Sequence, residues 1–181
     1  FTAGNSSSLN DGASAVWLGS ERGAQLLGRE PIARIAGRGA AANEPQFFGE
    51  APVEAANIAV RRAGITWDDV AAVELNEAFA VQVLAFLDHF GIDADDERVN
   101  AYGGAIATGH PLASSGVRLM TQLSRQFAEH PEARYGVTAM CIGIGMGGAV
   151  IWENPHHAEY VSSVDSEVSK LHSNNSEEGV A

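Results

Sequence analysis

The chain has 181 residues, of which 45% are hydrophobic, and a formal net charge of −12. That length supports one domain with a real core, and the negative charge argues against partners that attract cations, namely nucleic acid and anionic membrane. One cysteine excludes an internal disulfide, no apolar run approaches the ~20 residues of a membrane span, and the opening "FTAGNSSSLN" is no signal peptide. A reducing, cytoplasmic setting is expected, and a start without methionine reads as a processed piece or a fragment.

Residues 13–19, "ASAVWLG", read as a buried strand. "SERGAQLLG" reads as a helix capped by Ser20 and closed by Gly28, and "PIARIAGRG" as a second strand. Val53, Ala56, Val60 and Ala63 have helical spacing, with Pro52 in the first turn and Gly64 past the end. Thr66 and Asp69 in "TWDD" form a capping box, and "VAAVELN" is a strand. Phe79, Val83, Phe86, Leu87 and Phe90 make one helix face, ended by Gly91. A helix over about 115–129 turns Val117, Met120, Leu123 and Phe127 inward. "YGVTAMCI" and "GGAVIWE" are two last strands, expected to pair antiparallel. Strands alternating with helices predict an α/β fold with helices covering a largely buried sheet. Residues 155–181 are rich in Ser and Asn and carry five acids against Lys170 alone, so they read as a disordered tail. His156 and His157 stand at its start without a further ligand at suitable spacing, so no metal site is expected.

The glycine-rich corner after Cys141 decides most about function. Gly143, Gly145 and Gly148 fit the dinucleotide pattern G-x-G-x-x-G, but "GGAVIWEN" is strand-like where that motif needs a helix N-terminus. Two readings stay open. The corner is a hairpin whose glycines supply positive φ, with Cys141 as a small buried hydrophobe. Or the glycines let a substrate carbonyl approach backbone N–H groups beside a chemically active Cys141. His110, in "GGAIATGHPLASSG", is either a loop histidine satisfied by backbone or an imidazole held rigidly near a helix N-terminus. Asn76, in "ELNEAFA", is either a helix N-cap or a ligand-facing group at a strand end. Asn5, Asn10 and Asp11 are turn formers, and the serine run beside them could contact a ligand. No G-x-S-x-G elbow supports a serine hydrolase.

Four segments in order, "TAGNSSSLNDGASA" (2–15), "ELNEAFA" (74–80), "VNAYGGAIATGHPLASSG" (99–116) and "CIGIGMGG" (141–148), resemble the thiolase family of acyl-CoA C-acetyltransferases and 3-ketoacyl-CoA thiolases. The resemblance covers about residues 2–153. It implies a thiolase-like C-terminal domain, a central mixed sheet with helices on both faces, over 30–154. Residues 1–29 would be the last strand and helix of the N-terminal half. His110 would activate the nucleophile and help form an oxyanion hole, Asn76 would hold a water completing that hole, and Cys141 would be the acid/base cysteine. The N–H of Gly143 would serve a second oxyanion hole, and Ser7 and Phe79 would lie near the pantetheine arm of coenzyme A. Coenzyme A and acyl-CoA would be substrates, with no covalent cofactor. The implied partners are a thiolase N-terminal half and, in the complete enzyme, further copies in a homo-oligomer.

Departures from the family pattern are Ala113 and Ile144, where glycine is usual or frequent, and "FFGEAP" (47–52), a loose version of a glycine–proline loop. They put substrate choice in doubt more than reaction class. The family's nucleophilic cysteine lies in the N-terminal half and has no counterpart here, so the chain alone is expected to be inactive. A non-catalytic thiolase-like subunit is the competing expectation. Condensing enzymes of ketoacyl synthesis place histidine or asparagine where Cys141 stands, which argues against them. Acyl-chain length and the synthetic or degradative direction stay open.

Overall fold

The computed structural model describes residues 1–163 and residue 166. Its centre is a four-stranded mixed sheet of β1 (Arg34–Ala42), β2 (Val70–Leu75), β3 (Tyr135–Gly143) and β4 (Met146–Glu153), in the order β1-β4-β3-β2. β4 is antiparallel to both β1 and β3, as expected for the last two strands, and β2 runs parallel to β3.

Alternation along the strands sends successive side chains to opposite faces. Val73, Leu75, Val137, Ala139, Ala149 and Ile151 meet α2 (Ala51–Ala63) and α3 (Ala80–Phe90) in one apolar cluster. Ala72 and Trp152 meet α5 (Leu112–Glu129) through Leu123 and Phe127 in the other. Helices therefore cover both faces. α2 lies unusually close to the sheet: a Cβ on Gly39 would stand 1.9 Å from the Ala55 carbonyl oxygen, and one on Gly147 would stand 2.4 Å from the Ala51 carbonyl carbon. Alanine on the helix and glycine on the strands are what that approach requires.

Most local expectations are met. Ser20 caps α1 (Glu21–Leu27), and Gly28, Gly64 and Gly91 close α1, α2 and α3 in the left-handed conformation. The capping box of Thr66 and Asp69 is formed. A short α4 (Ala105–Thr108) precedes α5. Among the described residues no helix is long and apolar enough to cross a membrane.

Two expectations are corrected. Residues 13–19 form no strand, and Trp17 and Leu18 are 89% and 69% exposed. A strand exists only against a partner, and among the described residues this segment pairs with no strand; its apolar pattern alone cannot supply one. α5 begins earlier than expected and buries Ser115, Leu119, Leu123 and Gln126, while Val117 and Met120 are only half-buried. The inward stripe includes polar residues, because polar groups of β2 and the His110 loop meet it.

Residues 155–163 continue from β4. A helical turn over 158–163 is tied back by Arg134 to Glu159 at 2.5 Å and by Arg34 over the Tyr160 ring. The rest of the segment expected to be disordered lies outside the described residues.

The β3–β4 turn is a two-residue hairpin loop. Ile144 (φ 52°) and Gly145 (φ 81°) both take positive φ, as the twist-matched turn demands. A β-branched residue is strained there, and Ile144 is 82% exposed, so little packing offsets the strain. Ile144→Gly is expected to raise stability by up to about 1.5 kcal/mol. That is the ~1–2 kcal/mol left-handed cost, less ~0.4–1 kcal/mol for a freer unfolded chain. Thermal unfolding checks it, and a lower melting temperature overturns it.

Candidate active site

Asn76 leaves the C-terminal end of β2 and continues the pairing with β3, its N–H donating to the Ala139 carbonyl at 2.9 Å. Its side chain is fully buried. The following helix starts only at Ala80, with Phe79 in the cap position, so Asn76 is not an N-cap. Its amide is free for another use: Nδ2 lies 3.3 Å from His110 Nε2. Asn76 Oδ1 accepts no hydrogen bond among the described residues.

His110 stands between α4 and α5, two residues ahead of the α5 N-terminus. Gly109 enters with φ 96°, and the His110 N–H donates to the Ser8 carbonyl at 2.9 Å. Ring atom Nδ1 lies 2.6 Å from Ser115 Oγ, and that hydroxyl reaches the Pro111 carbonyl at 3.4 Å. One tautomer satisfies the set. Nδ1–H donates to Ser115, Ser115 donates to Pro111, and the Nε2 lone pair accepts from Asn76. Burial, and then the Arg118 charge, hold the imidazole below its ordinary pKa. It is therefore neutral near pH 7, with Nε2 able to take a proton.

Cys141 is a half-buried free thiol near the end of β3. Its Sγ–H donates to Gln82 Oε1 at 3.6 Å, and Gln82 Nε2 donates to the Asn76 carbonyl at 3.4 Å. Cys141, Gln82, Asn76 and His110 thus form one connected polar chain. Burial pushes the thiol pKa up. Nothing lies within 4 Å of where a Gly143 Cβ would stand, whereas one on Gly145 would stand 2.2 Å from the Asn43 carbonyl oxygen. Gly145 and Gly147 serve packing, and Gly143 leaves open space beside Cys141's strand end.

Ser7 lies over this region. Its N–H and Oγ both reach the Ala78 carbonyl, at 3.0 and 3.2 Å, and its neighbour Ser6 bridges to Phe79. Phe79 packs against Phe1 and Phe48 with ring centroids 4.7 and 6.1 Å away. Ala113 is exposed on the first turn of α5.

Sequence reasoning missed three positions. Gln82 is buried on α3 three residues after Phe79, so it falls on the apolar stripe; a polar residue on that face was the available signal. Glu77 accepts from Asn100 Nδ2 at 2.8 Å and from the Ile106 N–H at 3.1 Å, and Asn100 Oδ1 accepts from the Leu75 N–H at 2.8 Å. This pair fastens the segment leading to His110 onto the end of β2. No spacing rule reveals it, because its members lie more than 20 residues apart.

The chain matches the family model "Thiolase, C-terminal domain" over residues 29–154. It belongs to the thiolase family. It is 48% identical over 155 residues to the 3-ketoacyl-CoA thiolase of Vibrio cholerae, covering 85% of this chain and 40% of that protein. Against the 3-ketoacyl-CoA thiolase of Photobacterium profundum the identity is 47%, covering 84% and 39%. The crystal structure of human mitochondrial 3-ketoacyl-CoA thiolase superposes with a TM-score of 0.80 at 40% identity, over 85% of this chain and 38% of that one. The same human thiolase in complex with CoA matches equally. The chain thus spans about 40% of the length of the curated thiolases it matches. The thiolase match fits the mixed sheet with helices on both faces.

Under α5, Glu74 is wholly buried, with Oε1 accepting from Gln126 at 2.6 Å and Oε2 without a hydrogen bond among the described residues. Burial pushes its carboxyl up to about 7 from an ordinary 4.5. The folded chain therefore holds this proton more tightly than the unfolded one. The resulting stability is fully present below about pH 4.5 and is lost as pH rises through about 7. Glu74→Gln is expected to shrink the fall in stability across that window. Urea unfolding at about pH 5 and 7.5 measures it, and an unchanged fall would overturn the assignment.

Proposed function

We propose that this chain is the C-terminal part of a CoA-dependent thiolase that cleaves or forms 3-ketoacyl-CoA. The observation that carries the reading is the polar chain Cys141–Gln82–Asn76–His110, which links three separate sequence segments at one place. Residues 30–154 are the C-terminal domain in this reading, and 1–29 belong with an N-terminal half that brings the nucleophilic cysteine. The exposed Trp17 and Leu18 support that partner, since they suit burial against further protein. A cytoplasmic setting, a homo-oligomeric complete enzyme and a place in fatty-acid metabolism belong to the same reading. Relatives named 3-ketoacyl-CoA thiolase support the last of these.

His110 Nε2 takes the proton of the nucleophilic thiol, which then attacks the keto carbonyl or the thioester. Protonated, Nε2–H points at the thioester oxygen of the acetyl-CoA portion, alongside a water held by Asn76. Fixed donors of this kind are worth ~2.7–4 kcal/mol each when a charge develops on that oxygen. Cys141 moves the α-proton. Gly143, with open space on its Cβ side, offers its N–H to the second carbonyl oxygen, and Ser7 and Phe79 flank the pantetheine arm. Coenzyme A and acyl-CoA act as substrates and no covalent cofactor is involved.

The test uses acetoacetyl-CoA and CoA. The chain alone should show no turnover, and the complete enzyme carrying it should reach ~1–10³ per second. Turnover by the chain alone, or an inactive complete enzyme, would overturn the reading.

A further inference from the structure

The Asn76 carbonyl decides which end of the Gln82 amide meets Cys141. Gln82 Nε2 donates to that carbonyl, which leaves Oε1 facing the sulfur. Turning the amide over would set two carbonyl oxygens against each other. The side chain has little room to leave: Gln82 is 4% exposed, and a Cβ on Gly49 would stand 3.2 Å from its Cβ. A carbonyl oxygen accepts from a thiol and repels a thiolate.

We propose that Gln82 is a positioning residue that holds Cys141 as the thiol, so that the resting site is set to give a proton rather than to take one. This rests on the thiolase reading. When the carbon–carbon bond of a 3-ketoacyl-CoA breaks, its electron pair stays with the departing acetyl-CoA α-carbon. The Cys141 S–H bond breaks, a C–H bond forms at that carbon, and a thiolate remains facing Gln82. The incoming CoA thiol returns a proton to it as CoA attacks the acyl-enzyme, so atoms and charge balance over the cycle. Run backward, the same cycle gives condensation: the Cys141 S–H bond breaks to protonate the departing CoA sulfur as the acyl-enzyme forms, and the thiolate so left removes the α-proton of the second acetyl-CoA.

Cys141 is the chain's one cysteine, so its S–H stretching band is read without interference. In the 181-residue chain, infrared spectroscopy should place the S–H band at lower frequency in the wild type than in Gln82→Leu. Gln82→Glu, which keeps an oxygen acceptor and nearly the same shape, should retain the low frequency. The introduced carboxyl is buried against the Asn76 carbonyl and is held protonated, its hydroxyl donating there while its other oxygen still accepts from Sγ. A band unmoved in Gln82→Leu, or one raised in Gln82→Glu, overturns the proposal. In the complete enzyme, Gln82→Leu should lower kcat for cleavage several-fold and leave KM for CoA unchanged; an unchanged kcat also overturns it. If the chain behaves as expected while complete enzyme lacking the Cys141 thiol still cleaves at full rate, the hold on the thiol stands and the thiolase reading fails.

Discussion

Cys141→Ala in the complete enzyme is expected to slow carbon–carbon bond formation and cleavage by about 10²–10⁴-fold, the usual contribution of a positioned acid/base. Acyl transfer from acetyl-CoA to the cysteine of the N-terminal half should persist at a reduced rate, because that step needs no α-proton transfer and CoA can leave as the thiolate without a proton from Cys141. Mass spectrometry of enzyme incubated with acetyl-CoA should therefore find an acetyl-enzyme, while the condensation assay finds almost no acetoacetyl-CoA. The two readouts separate chemistry from folding: a collapsed variant loses both. Condensation at the wild-type rate would make Cys141 the packed residue of the hairpin reading.

Asn76→Asp carries the second large effect. The change is nearly isosteric, and the segment does not cap α3, so helix stability is not at stake. It replaces the Nδ2 donor, 3.3 Å from His110 Nε2, with a carboxylate oxygen. That oxygen favours the imidazolium, which reverses the depression that burial imposes on His110. A histidine already protonated cannot take the nucleophile's proton, and the negative charge opposes a developing oxyanion. A loss of about 10²–10³ in kcat is expected, with the acid limb of the pH–rate profile displaced upward. An enzyme that keeps both its rate and its acid limb would remove Asn76 from the site.

These expectations depend on contacts that differ in how far sequence could foretell them. Ser20 at the head of α1, the capping box at Thr66 and the glycines closing α1, α2 and α3 were legible because each depends on residues within one or two turns. The same holds for the antiparallel β3–β4 pair, joined by a two-residue turn. The four motifs placed His110, Asn76, Cys141 and Gly143 in one family's order, and thereby named the chemistry to look for.

What each residue touches was decided elsewhere. Asn76 reads as a cap because a helix follows it, yet its amide turns to His110, 34 residues away, once β2 and the α4–α5 loop are adjacent. Residues 13–19 have a strand's apolar pattern and no strand, since pairing needs an edge that local composition cannot provide. Glycines that look alike in "CIGIGMGG" part ways in space: Gly145 and Gly147 are pressed against backbone, and Gly143 is open. Periodicity and caps are short-range and are written in neighbouring residues. The partner of a buried polar group is set by elements far apart in the chain, and only their packing brings Gln82 against Cys141, 59 residues away.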